Sequence, residues 1–186
     1  MKFVQPIRSQ RKIDEIKQYL KDLNPRDYVL FMVGITTGFR IADILSLTVK
    51  DVRGTHIEVR EGKTKKLNSV LIRENLRKAL DDFIIGKQDH EYLFTGRSKK
   101  KKSGEAGEPI CTSTAYKLLS RVGRQYGLKS IGTHSMRKSF GYHYYEETKH
   151  IALLMEIFNH SKEEITLRYI GQNQDSKDRG LRRWEL

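Results

Sequence analysis

The sequence predicts a mostly helical α+β domain carrying one small antiparallel β-hairpin. Three observations predict it. Apolar residues recur at three- and four-residue intervals over most of the chain. Two short β-rich runs, HIEVR and SVLI, flank the lysine-rich EGKTKK. The 186 residues, 37% of them apolar, suffice to fill one core.

The elements follow in order. Ile13, Ile16, Leu20 and Leu23 form the stripe of a first helix. Asn24 then Pro25 read as the cap and first residue of a second, which runs through RDYVLFMVGITT and stops at Gly38. RIADILSL opens another, with Ile41, Ile44 and Leu45 on one face. The hairpin comes next, then a helix marked by Leu76, Leu80 and Phe83. GRSKKKKSGEAGEP, residues 96–109, reads as a mobile surface loop. Thr112 or Ser113 is expected to cap the helix that follows. Its apolar face is Ala115, Leu118, Leu119 and Val122, and Gly127 ends it. HSMRKSFGYHYYEE and IALLMEIF are further helices. Ser161 and Glu164 have capping-box spacing before a short helix ending at Tyr169. LRRWEL closes the chain as a basic, partly apolar tail.

Charge narrows the function. Lys and Arg outnumber Asp and Glu by 36 to 23, which points to a polyanionic partner, first of all nucleic acid. An RNA-binding or ribosomal protein belongs to the same charge class. One cysteine, Cys111, leaves no internal disulfide and suits a reducing compartment. No apolar run approaches the ~20 residues of a membrane span, and MKFVQPIRSQ has no signal-peptide character. No internal repeat is present.

Several residues could carry chemistry. His134 and Arg137 share a helix face, while Met136 and Phe140 take the core side, so the pair faces either a pocket or solvent. Arg40 opens a helix, where free N–H groups and a guanidinium fork both suit phosphate; it could equally tie down Asp43. Lys63, with Lys65 and Lys66 as close competitors, sits at the hairpin tip, either reaching into a groove or solvated. Lys117, Arg121 and Arg124 line one helical face, for DNA or for water. Tyr169 follows Ile165 by four residues, so it is either a core tyrosine or a nucleophile. A phenol titrates near pH ~10, so attack at neutral pH needs positive neighbours. Phosphoryl transfer needs neutralised non-bridging oxygens, an in-line nucleophile and a protonated leaving oxygen. With one cysteine, no HExxH and no acidic cage, the set of two arginines, two histidines, a lysine and a tyrosine could do this without a metal or cofactor.

That ordered set resembles the catalytic domain of the tyrosine recombinases, the phage integrase family. TTGFRIADILSL, EGKTKKLNSVLI, THSMRKSFG and FNHSKEEITLRYIG stand in the family's order, over residues 7 to about 171. The resemblance implies a helical catalytic domain with a small antiparallel sheet. It implies that Arg40 and Arg137 hold the scissile phosphate, that His134 takes a proton from Tyr169, and that His160 hydrogen-bonds the same phosphate. It makes Lys63 the general acid, Tyr169 the nucleophile forming a 3′-phosphotyrosine, and Asp43 a structural acid. Residues 1–171 are then the catalytic domain and 172–186 a tail that protomers could exchange, through Leu181, Trp184 and Leu186. The family's N-terminal clamp domain is expected to be absent, because the chain starts almost at the first catalytic helix.

The function expected is therefore a site-specific DNA recombinase or integrase in a bacterial, phage or mobile-element cytoplasm. Its partners would be double-stranded DNA, further copies of itself and a helper protein in place of the clamp, with no membrane. Lys65, Lys66, Lys99, Lys100, Lys101, Lys102, Lys117, Arg121 and Arg124 are the expected DNA contacts. The alternatives are a non-cleaving module at recombination sites and supercoil relaxation of type IB topoisomerase kind.

Overall fold

A computed structural model of the chain describes residues 4–60, 67–96 and 107–184. Lys63, Lys65, Lys66, the 99–102 lysines and Leu186 lie outside the described residues. Helix α1, Gln10–Leu23, is capped by Ser9, whose hydroxyl accepts from the Lys12 N–H. Its buried face is Ile13, Ile16 and Leu20. Leu23 was expected on that stripe but is half exposed, because it is the last residue of the helix. Helix α2, Pro25–Thr37, starts as expected: Asn24 caps it and proline takes the first turn. Every residue from Val29 to Val33 is buried, so α2 is the central helix, packed against α1, α4 and α6. It ends at Gly38 in the left-handed region, φ 68°.

Helix α3, Ile41–Leu45, is a single turn that opens at Arg40. Strands β1, His56–Arg60, and β2, Leu67–Leu71, pair antiparallel with His56 opposite Leu71 and Arg60 opposite Leu67. Period-two alternation puts Ile57 and Val59 into the core. Helix α4, Glu74–Ile84, follows, buried through Leu76, Ala79, Leu80 and Ile84. Of the segment expected to be a loop, residues 97–106 lie outside the described residues, and the chain on either side of them is joined by a small bridge. Thr95 pairs with Pro109, the Gly96 N–H donates to the Glu108 carbonyl, and the Ile110 N–H to that of Phe94.

Helix α5 is Thr112–Gln125. Neither Thr112 nor Ser113 caps it. Cys111 is the cap residue, and its Sγ hydrogen-bonds to Ser113 Oγ and Thr114 Oγ1 at 3.0 and 3.2 Å. The end is as expected: Gly127 at φ 62°, with the Leu128 N–H reaching back to the Gly123 carbonyl. Helix α6, Thr133–Thr148, carries the His-x-x-Arg pair. Helix α7 is Ile151–Phe158, α8 is Glu163–Ile170, and α9 is Gln172–Arg183.

One expectation about the C-terminal end is corrected. Ser161 makes no capping box, because Lys162 occupies the cap and Ser161 lies one residue too early. Glu163 and Glu164 in the first turn face the positive helix end instead. The stretch after Gly171, for which the sequence reading named no secondary structure, is helical. Gly171 at φ 86° ends α8 and starts α9, and Arg8 holds the new helix through Asp175 at 2.8 Å. Leu181 on it and Trp184 just past its end are about two-thirds exposed. Among the described residues no helix is long and apolar enough to cross a membrane.

A second, smaller core forms under α6, α7 and α8 from Leu154, Phe158 and Ile170. Gly141 on α6 makes it possible. A Cβ there would lie 2.7 Å from the Phe158 ring and from Ile170 Cγ2. Alanine favours a helix over glycine by about 1 kcal/mol, yet Gly141→Ala is expected to destabilise the fold by roughly 1–3 kcal/mol through overpacking. Urea denaturation of the variant checks this.

Candidate active site

Five of the six residues expected to carry the chemistry lie at the junction of α2, α3, α6, α7 and α8. Gly38 organises one side. Its left-handed turn redirects the chain so that Arg40 caps α3, and its carbonyl accepts a buried hydrogen bond from Arg137 Nη1. A side chain at Gly38 would run into the Phe140 ring, so both conformation and space demand glycine. Asp43 lies in the first turn of α3 and is half-buried.

Arg137 is 3% exposed, and its guanidinium also stacks on the Phe158 ring, 4.4 Å from the centroid. The start of α6 fixes the direction of this pair. The Gly132 N–H donates to Ser135 Oγ, and the Ser139 hydroxyl donates to the Ser135 carbonyl. His134, one turn from Arg137, brings Nδ1 within 3.3 Å of the Tyr169 hydroxyl.

His160 follows Asn159, whose left-handed conformation at φ 54° ends α7. Its Nδ1 is 3.0 Å from Thr166 Oγ1, a fully buried hydroxyl on α8, which leaves Nε2 as the other ring nitrogen. The ring stands edge-on to Tyr169, with centroids 5.3 Å apart, and to Phe158, 5.6 Å away. Tyr169 itself is edge-on to Phe158 at 5.4 Å. One buried phenylalanine ring thus supports Arg137, His160 and Tyr169 together.

The electrostatics are those of a site built for an anion. Burial pushes the Tyr169 phenol above its usual range, while Arg137, Arg40 and a hydrogen bond from Arg137 pull it back down. Burial lowers His134, and Arg137, Lys138 and Arg40 lower it further. Burial, then Arg137 and Arg40, lower His160. Arg40 therefore acts on all three, although it lies on a different element. At neutral pH His134 is uncharged and can accept a proton.

Lys117, Arg121 and Arg124 are exposed along α5 and line an open groove of about 760 Å³ with Arg26, floored by Leu118 and Ile110. They form one basic face beside the junction of α1 and α2, and the groove they line includes none of the clustered residues. The hairpin is tied to α7, where Asn68 Nδ2 donates to the Ile157 carbonyl at 2.9 Å. Three contributors were not foreseen in the sequence: Phe158, Thr166 and Lys138. Lys138 is 3% exposed, and its ammonium lies 5.0 Å from the centroid of the Tyr169 ring. The fixed offset of Phe158, two residues before His160, could have marked the first. The other two have no local signal.

Residues 9–176 match the family model described as the phage integrase family. The chain is 46% identical over 177 residues to a probable integrase/recombinase, YoeC, of Bacillus subtilis, which covers 95% of this chain and 94% of that protein. It is 26% identical over 162 residues to the tyrosine recombinase XerA of Thermococcus onnurineus, covering 84% of this chain and 55% of that one. It thus spans nearly all of the first relative and about half of the second. Among solved structures, XerH site-specific recombinase bound to palindromic difH substrate in a post-cleavage complex aligns with a TM-score of 0.73 at 18% identity, over 97% of this chain and 53% of that one. A lambda integrase dimer bound to a COC′ core site aligns at 0.68 and 14% identity, over 93% and 50%. At those identities the likeness is one of fold.

The histidine shifts set a pH dependence. Both rings titrate below the ordinary histidine value of 6.5, so below that value the unfolded chain binds more protons than the folded one. Their contribution to stability is complete above 6.5 and is lost as pH falls toward the folded-state values. NMR titration of the imidazoles is expected to place both below 6.5, and Arg40→Ala to move both upward.

Proposed function

The chain belongs to the phage integrase family, and on that premise we propose that it breaks and rejoins duplex DNA at specific sites through Tyr169. The observation that carries this reading is the 3.3 Å approach of His134 Nδ1 to the Tyr169 hydroxyl, under the positive field of Arg137 and Arg40. The scissile phosphate would lie against the two arginines, with His160 Nε2 as a further donor. Tyr169 Oη attacks phosphorus and its proton passes to His134. The 5′-oxygen leaves with a proton from Lys63, and a 3′-phosphotyrosine remains. Attack by a 5′-hydroxyl reverses each step and reseals a strand. Arg40 and Arg137 act on the charge that develops on the non-bridging oxygens, where fixed donors have most effect. Asp43 is proposed to steady the turn that presents Arg40. The open basic face of α5, with the lysines flanking Lys63 and those at 99–102, would hold the duplex by its phosphates. The setting proposed is the cytoplasm of a bacterium or of a cell carrying a mobile element, in keeping with the Bacillus relative.

A nicked duplex that traps the cleaved strand tests the chemistry. Wild-type protein is expected to form a covalent adduct. Tyr169→Phe is expected to form none while binding DNA normally, since it loses only a hydroxyl. Absence of adduct with the wild type would favour a non-cleaving binding module. In the same assay Lys63→Ala is expected to be about 10²–10⁴-fold slow. It should recover on DNA with sulfur in place of the bridging 5′-oxygen, because a thiolate leaves without a proton. Arg40→Ala should stay slow on both substrates.

Assembly on DNA is part of the proposal. Leu181 and Trp184 are exposed near the end of α9, where an apolar pair suits the surface of a second copy. Deleting residues 178–186 is expected to lower cooperative binding at paired sites, measured by gel shift, while leaving single-site affinity near wild type.

A further inference from the structure

The nucleophile stands on a helix too short to hold its own end. Helix α8 has 8 residues, fewer than the ~12–15 at which a helix persists alone in water. Tyr169 lies in its last turn, the part that frays first. Ile170 then enters the small core, and Gly171 closes the turn in the left-handed region, φ 86°, its N–H donating to the Arg168 carbonyl at 3.2 Å. Glycine leaves that conformation about as readily as it enters it. The cap that finishes the tyrosine helix therefore depends on what is laid against Gly171 from elsewhere.

Arg8 is laid against it. Its Nη2 lies 2.8 Å from the point that a Cβ on Gly171 would occupy, so the guanidinium covers the glycine. Its Nε donates to Asp175 Oδ2 at 2.8 Å and to Oδ1 at 3.2 Å, in the first turn of α9. Its Nη1 donates to Gln5 Oε1 at 3.3 Å, and the group stands 5.5 Å from the centroid of the Tyr142 ring on α6. Arg8 thus spans Gly171, with one partner just beyond the glycine and one on α6.

The segment that carries Arg8 is itself tied to α6. The Ile7 N–H donates to Ser139 Oγ, Lys138 Nζ donates to the Val4 carbonyl, and His143 Nε2 meets the Ile7 carbonyl. From α6, Glu146 also accepts from the buried Gln172 at 2.5 Å. Helix α6 is the helix of His134 and Arg137. The end of the nucleophile's helix is therefore fastened, through Arg8 and Asp175, to the helix that carries the proton acceptor.

We propose that Arg8, acting through Asp175, is a positioning residue for the nucleophile: the pair keeps Gly171 in its left-handed cap and so keeps the Tyr169 hydroxyl at His134. The inference rests on the reading of Tyr169 as the nucleophile. It adds a contributor from the segment before α1, outside every motif of the site. A partly exposed pair is a modest interaction, so its effect on rate is expected to be moderate.

The test is single-turnover adduct formation on the nicked duplex at saturating protein, with DNA affinity measured separately. Tyr169→Phe is the control on the premise: an adduct in that variant removes the nucleophile itself, independently of Arg8. With the control blank, Arg8→Met and Asp175→Ala are each expected to slow adduct formation about tenfold. The double variant is expected to be no slower than either single one, because the two side chains act as one pair. Slowing of about a hundredfold in the double variant, the product of two independent effects, overturns the proposal. A wild-type rate in either single variant overturns it too. Slowing in Arg8→Met alone would mean that Arg8 acts on DNA phosphates and not through Asp175. A second readout does not depend on cleavage. In isotope-labelled protein without DNA, the His134 Nδ1 resonance reports the approach of the Tyr169 hydroxyl and is expected to shift in both variants. An unchanged resonance overturns the proposal, even where the wild type forms no adduct. If Arg8→Met does not fold, Asp175→Ala decides by both readouts. A merely structural pair would lower the melting temperature in these variants without moving the rate or the resonance.

Discussion

The burial of one cation, Arg137, is the constraint around which the site is arranged. A guanidinium at 3% exposure needs compensation from fixed partners. One is the carbonyl of Gly38, at the end of the central helix, and another is the face of Phe158, at the end of α7. Each partner carries a site residue close behind it in sequence: Arg40 two residues after Gly38, and His160 two residues after Phe158. Satisfying Arg137 therefore brings the second arginine and second histidine to the same place. Removing the side chain would leave a buried carbonyl without its donor and a ring face without its cation, besides removing a charge.

Tyr169 shows how burial and charge are balanced. Burial alone makes the phenol a poorer nucleophile, and it is the largest influence on the group. The two arginines oppose it only in part, and the phenol still stands above its usual range. The same arginines depress both histidines. A bound phosphate would partly neutralise them and shift all three groups together. The site is thus most positive when empty, and its acid–base balance is set by the occupant.

Much of this was legible in the sequence because it depends on local rules. Asn24–Pro25, Gly38 and Gly127 mark helix ends by conformation, and the hairpin announced itself by alternation. The set Arg40, His134, Arg137, His160 and Tyr169 was readable from its resemblance to a family order. His134 and His160 meet Tyr169 directly, Arg137 meets Phe158, on which both His160 and Tyr169 rest, and the charge of Arg40 acts on Tyr169 and both histidines. What sequence could not supply were relations between distant segments. Nothing near Lys138 reveals that Val4 lies over it, and nothing near Thr166 reveals that it meets His160. The two capping errors have another cause. Ser, Thr and Glu at the right intervals fit several registers of a helix start, and α5 and α8 start from Cys111 and Lys162 instead.

The bridge between Thr95 and Pro109 has a consequence for how such a protein can change. Its hydrogen bonds fix where the chain leaves the core and where it returns, with Phe94 and Ile110 buried on either side. Closing a longer excursion between fixed ends costs only about 0.6 kcal/mol per doubling of length. Residues between Gly96 and Gly107 can therefore be inserted, removed or replaced while α5 keeps its register against α3. Natural variation can revise that segment without revising the chemistry, and the same position offers a graft point for a reporter or a new recognition sequence.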